Sequence, residues 1–146
     1  MPFEFNETMS GSYHLLDEPD VERPLSFTLR ALSRALPRFL MRRDVAIEGS
    51  VDAEGLASGN RLTGTLGMDV LLTGKLPYAF TFLGNDGRRY RFSGEKTVTL
   101  LDLPEAMTVL PGSFFDAADR EIARAIVRFD LRDLPSFLRS FSLVRR

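Results

Sequence analysis

Apolar and polar residues alternate along most of the chain with a period of two, the pattern of strands that bury one face. The N-terminal run FEFNETMSGSYHLL reads as an edge strand or a pair of strands. Residues 17–24, DEPDVERP, are acidic, carry two prolines and predict a loop. In PLSFTLRA, Leu25, Phe27 and Leu29 fall on one face and Ser26, Thr28 and Arg30 on the other, as in a half-buried strand. DVAIEGSVDA resumes the alternation with Val45, Ile47 and Val51 inward. NRLTGTLGMDVLLTG predicts a long strand, bent or bulged at Gly64 or Gly67.

The strongest local signal is LPYAFTFLGNDGRRYRFSG. Tyr78, Phe80 and Phe82 share one face, Tyr90 and Phe92 share the matching face, and Asn85-Asp86-Gly87 between them supplies turn chemistry. This predicts a hairpin pairing 76–84 with 88–94. EKTVTLL and PEAMTVLPG add two further strands, and SFFDAAD reads as a loop.

Two segments break the alternation. In SRALPRFLMRR, Leu36, Phe39 and Leu40 fit a short helical face, with Arg34, Arg38 and Arg42 opposite. In DLPSFLRSF, Asp133 is placed to cap a helix that carries Leu134, Phe137, Leu138 and Phe141 on one face. EIARAIVRFDLRD fits both periods: Ile122, Ile126 and Phe129 suit a helix, Ala125, Val127, Phe129 and Leu131 a strand. FTLRALSRALPRFL at 27–40 and FDLRDLPSFL at 129–138 echo each other, and the echo favours strand for 123–131. The expected fold is mainly β: one domain over residues 1–146, an antiparallel barrel or sandwich of about eight to nine strands. Two short helices, at 36–40 and 134–138, are expected to cover an end or a side of it.

The 146 residues are 44% hydrophobic and 27% charged, with a formal net charge of −1, which suits a globular chain and gives no reason to expect nucleic acid. The first residues lack a basic stretch followed by an apolar one, and no run nears the ~20 apolar residues of a membrane span, so the cytoplasm is the expected location. There are no cysteines, hence no disulfide, thiol nucleophile or thiolate metal site.

Candidate chemistry is sparse. His14 is the only histidine, and no G-x-S-x-G surrounds a serine. Asp17, Glu18, Asp20 and Glu22 are broken by Pro19 and do not have the spacing of a calcium loop. Gly59, Gly64 and Gly67 match neither a dinucleotide fingerprint nor a phosphate loop. Of the strand carboxylates, Glu48 and Asp69 alternate away from apolar neighbours, and Glu95 has Lys96 beside it. No enzyme activity, cofactor or metal is therefore expected. The aromatic faces remain. Phe27, Tyr78, Phe80, Phe82, Tyr90, Phe92 and Phe129, with Phe39 and Phe137 from the helical segments, would line either a solid core or a cavity for an apolar small molecule such as a lipid or sterol.

The order of motifs adds a resemblance. F-x-E-T-M-S-G at 5–11, F-T-L at 27–29, D-V-A-I-E-G-S-V at 44–51, Y-A-F-T-F at 78–82, D-G-R-R-Y-R-F-S-G-E-K at 86–96 and R-A-I-V-R-F-D-L-R-D-L at 124–134 span nearly the whole chain. Together they resemble the β-rich, lipocalin-like accessory domain fused to some bacterial glucose–methanol–choline (GMC) oxidoreductases of the cholesterol-oxidase-like group. The resemblance implies a β-barrel without chemistry of its own, since the flavin of such enzymes belongs to the other domain. It also implies a protein-interaction role as the alternative function, toward a separate oxidoreductase or a second copy of the chain.

Overall fold

The computed structural model describes residues 3–33, 44–67, 75–97, 109–129 and 142–143. Within them lie nine strands: β1 (Phe3–Leu15), β2 (Arg23–Ser33), β3 (Asp44–Ala53), β4 (Ala57–Gly67), β5 (Lys75–Leu83), β6 (Arg89–Thr97), β7 (Val109–Phe115), β8 (Glu121–Phe129) and β9 (Ser142–Leu143). Each strand from β1 to β7 pairs antiparallel with the next, and β8 pairs back onto β1 through Met9↔Phe129 to Leu15↔Ala123. The result is a closed eight-stranded barrel. Closure gives each of these eight strands a partner on both sides. β9 adds two residues alongside Phe3 and Glu4.

The barrel resolves the choice between barrel and sandwich. The hairpin forms as expected, with Phe80↔Phe92 and Phe82↔Tyr90 in register and Gly87 in the left-handed region at φ 77°. Residues 121–129 are strand, not helix. Four expectations change. Glu95–Thr97, read as the start of a separate strand EKTVTLL, continue β6. FEFNETMSGSYHL is neither an edge nor a pair but one strand at the seam, bonded to β2 along Phe3–Tyr13 and to β8 along Met9–Leu15. The bulge lies at neither Gly64 nor Gly67. Val51 pairs Asn60 while Asp52 pairs Ser58, so Gly59 is the extra residue, and its φ of 69° is the conformation glycine adopts at least strain. Ser113–Phe115, read as loop, belong to β7. The segments 36–40 and 134–138, expected to be helical, lie outside the described residues.

The inward faces follow the predicted alternation. Leu25, Phe27, Leu29, Val45, Ile47 and Val51 are buried, as are Tyr78, Phe80 and Phe82. Gly64 serves curvature. A Cβ built there would stand 1.9 Å from the Ala79 carbonyl oxygen, so β4 and β5 approach more closely than any side chain permits. Gly64→Ala is expected to destabilise the barrel by roughly 1–3 kcal/mol through this overpacking, measured as a lower urea midpoint at unchanged m-value.

Candidate functional site

The barrel interior has two chemically distinct zones. One is aromatic. Period-2 alternation on five strands delivers Tyr13, Phe27, Phe80, Phe82, Tyr90, Phe92 and Phe114 inward. Phe80 stacks on Phe92 at 4.9 Å between ring centroids and meets Phe27 edge-on at 5.3 Å; Phe92 contacts Phe114 at 5.3 Å, and Phe114 contacts Tyr13 at 5.6 Å. At this level the rings themselves fill the lumen. Leu56, Tyr13 donating to the Glu54 carbonyl, and Asn85 bonded to the Leu56 carbonyl and the Ser58 hydroxyl lie at the neighbouring end. Of the aromatic residues singled out from sequence, Phe27, Tyr78, Phe80, Phe82, Tyr90 and Phe92 are thus brought into one interior. Phe129 ends β8 opposite Met9. Phe39 and Phe137 lie outside the described residues.

The second zone is polar and was not foreseen. Glu7 on β1 reaches across the lumen to β5 and β6, four and three strands away around the ring. Its Oε1 accepts the Tyr78 hydroxyl at 2.8 Å and its Oε2 accepts Lys96 Nζ at 3.1 Å. The Lys96 ammonium also lies over the Tyr78 ring, 5.1 Å from its centroid. Lys96 is 2% exposed and Glu7 6%. Their register neighbours are apolar: Leu29 beside Glu7, Leu66 beside Tyr78, Leu76 beside Lys96.

Both charges lie on the inward face by the same alternation that places the aromatics. Glu7 shares parity with Met9 and Tyr13, and Lys96 with Tyr90 and Phe92. That parity was the available signal. Glu95 and Lys96, adjacent in sequence, face opposite sides: Glu95 meets Lys75 outside at 3.8 Å while Lys96 turns inward. Glu48 faces solvent as expected, between Arg30 and Arg61.

Beside Lys96 the pairing of β6 with β7 is short. The β6–β7 ladder runs from Arg91↔Phe115 to Gly94↔Gly112 and stops there. β6 continues to Thr97 on β5, and β7 begins at Val109 on β8. Pro111, opposite the next position, has no N–H to donate. Among the described residues, Glu95–Thr97 of β6 therefore pair with β5 and not with β7.

The outer face carries polar groups of its own. A groove across β7, β8 and β1 is lined by Ser12, His14, Glu22, Pro111, Ser113 and Arg124, among others. His14 Nδ1 lies 3.3 Å from Glu22, and Ser113 donates instead to Glu121 at 2.6 Å, which together with Arg124 holds the Glu121 carboxyl below the usual range. The groove thus couples neither hydroxyl to imidazole through these bonds. Among the described residues no group of three or more His, Asp or Glu could hold a metal ion, and no helix is long and apolar enough to cross a membrane. The chain matches no protein-family model, no curated protein and no solved structure.

All three tyrosines hold their protons above the ordinary value of 10.0. For Tyr78 the shift is large, driven by burial and then by the Glu7 charge and hydrogen bond. Tyr13 is raised chiefly by burial, and Tyr90 by its bond to Asp86. The folded chain therefore binds these protons more tightly than the unfolded chain. Their stabilising contribution is complete below about pH 10 and declines as pH rises beyond it. Absorbance titration at 295 nm is expected to show no tyrosinate with the ordinary midpoint in the native protein, and all three tyrosines ionising on alkaline unfolding.

Proposed function

We propose that this chain is a binding barrel for a small, mainly apolar molecule carrying one polar group. The observation that supports the reading is the Glu7–Tyr78–Lys96 cluster. A buried ion pair is a poor device for stability, because well-packed apolar residues in its place are often neutral or stabilising. A charge pair held inside an otherwise apolar lumen, beside a short β6–β7 ladder, suits a ligand that needs one oriented polar contact and hydrophobic surroundings for the rest. The aromatic layer would form the floor of such a site, and Tyr78 is the member of the sequence-predicted set that touches the polar cluster. Lipids and sterols have this division of polar and apolar parts.

Native mass spectrometry of protein purified from cells tests the proposal. A bound species of a few hundred daltons, released on denaturation and soluble in organic solvent, is the expected result. Repeated failure to find one, together with no uptake of added lipids or sterols, would overturn it.

The accessory-module reading that follows from the resemblance to GMC oxidoreductase-associated domains ranks second. It calls for a contiguous exposed apolar face. The large exposed apolar side chains among the described residues are Leu16, Val21, Leu83 and Ile126. Leu16 and Val21 flank one loop, whereas Leu83 and Ile126 lie on β5 and β8. The same mass spectra report subunit number and any bound protein.

A further inference from the structure

Resting on the binding-barrel reading, we infer that the polar group of the ligand is an uncharged oxygen, a hydroxyl or a carbonyl, and that Lys96 is its donor; carboxylate ligands are excluded by Glu7. Lys96 carries three N–H bonds. Among the described residues its hydrogen-bond acceptor is Glu7 Oε2, at 3.1 Å, and its other close polar neighbour is the face of the Tyr78 ring. An ammonium that is 2% exposed and satisfied on one of three N–H bonds by a described residue has donor capacity in reserve. Glu7 is an acceptor only and already carries Tyr78 on one oxygen and Lys96 on the other, so a ligand oxygen that accepts a hydrogen bond can take it from Lys96 and not from Glu7.

The charge balance decides the class. Glu7 already neutralises Lys96, so a neutral ligand leaves the lumen neutral. A carboxylate would bring a second negative charge to a site with one positive charge, surrounded by Leu29, Leu66 and Leu76 and shielded from water. A buried net charge is strongly disfavoured. An alkylammonium fails for the converse reason, since it would meet Lys96. Seen this way, Glu7 is a specificity residue: it keeps an otherwise attractive lysine from capturing fatty acids, and it does so by repulsion as much as by occupancy.

The test compares head groups on one apolar body. Binding of the uncharged fluorophore N-phenyl-1-naphthylamine at pH 7 is displaced by 1-dodecanol, 2-dodecanone or dodecanoate, with wild type and Glu7→Gln. For wild type, the alcohol and ketone are expected to compete at least about tenfold more tightly than the acid. Glu7→Gln, which leaves Lys96 without its counter-charge, is expected to reverse that order. Should Glu7→Gln not fold, Glu7→Leu/Lys96→Met reads the same contact: dodecanol affinity falls about tenfold while the fluorophore, which has no acceptor oxygen, binds as before. Wild type binding dodecanoate as tightly as dodecanol would overturn the head-group inference and leave the binding barrel standing. Absence of fluorophore binding and of any lipid uptake would overturn both.

Discussion

Glu7→Ala is expected to lower the unfolding free energy by roughly 3–5 kcal/mol, because it leaves Lys96 charged, buried and without a partner. The pair spans 89 residues of sequence and joins β1 to β6 across the lumen. Lys96→Met should also destabilise, but less, since Glu7 keeps the Tyr78 hydroxyl. The double variant Glu7→Leu/Lys96→Met is expected to be at least as stable as wild type, as is common when a buried ion pair gives way to apolar residues of similar size. Urea titrations of the four proteins form a double-mutant cycle and yield the coupling directly. A loss below about 1 kcal/mol for Glu7→Ala would show that water reaches the pair in solution. Stability without the pair would also imply that Glu7 and Lys96 are present for binding.

Phe80→Ala is expected to cost roughly 3–5 kcal/mol. Phe80 is 1% exposed and touches three other rings: Phe92 at 4.9 Å, Phe27 at 5.3 Å and Phe82 at 6.1 Å. Truncation removes all three contacts and opens a hole in a layer whose members are fixed on hydrogen-bonded strands and cannot close over it. The same substitution should leave the Tyr78–Glu7–Lys96 cluster in place, so displacement of a bound fluorophore by dodecanol should survive in any fraction that folds. A loss near zero in a denaturant titration would contradict solid packing at this level and place ligand space among the aromatic rings instead.

The sequence carried a good deal of the strand pattern, and particular residues show why. Tyr78, Phe80, Phe82, Tyr90 and Phe92 lie in two adjacent runs around a turn with strong local chemistry, so alternation alone assigned both their face and their pairing. Leu25, Phe27, Leu29, Val45, Ile47 and Val51 were assigned to an inward face by the same rule and are buried. The bulge was misplaced because glycines at 59, 64 and 67 are equivalent in a one-dimensional pattern. Only the β3 register shows that Gly59 is the unpaired residue and that Gly64 lies under the Ala79–Phe80 backbone. FEFNETMSGSYHL looked like an edge because its polar residues and glycine weaken the alternation, and an edge tolerates both.

Glu7 and Lys96 were legible in principle and missed in practice. Their parity put them inward, but a charged residue is read as solvent-facing unless its partner is known, and the partners lie 71 and 89 residues from Glu7. Alternation along a strand is a property of neighbouring residues, set by the pleat, so the chain by itself determines which faces are apolar and where the tight turns fall. Which residue stands across a lumen depends on closure and stagger, and closure here rests on β8 returning to β1, with Met9 beside Phe129. That pairing is non-local and reflects the sum of eight strand registers. Only the tertiary structure could therefore decide that the β-sheet is a barrel, that seven aromatic rings form one layer inside it, and that a carboxylate from the first strand meets an amine from the sixth.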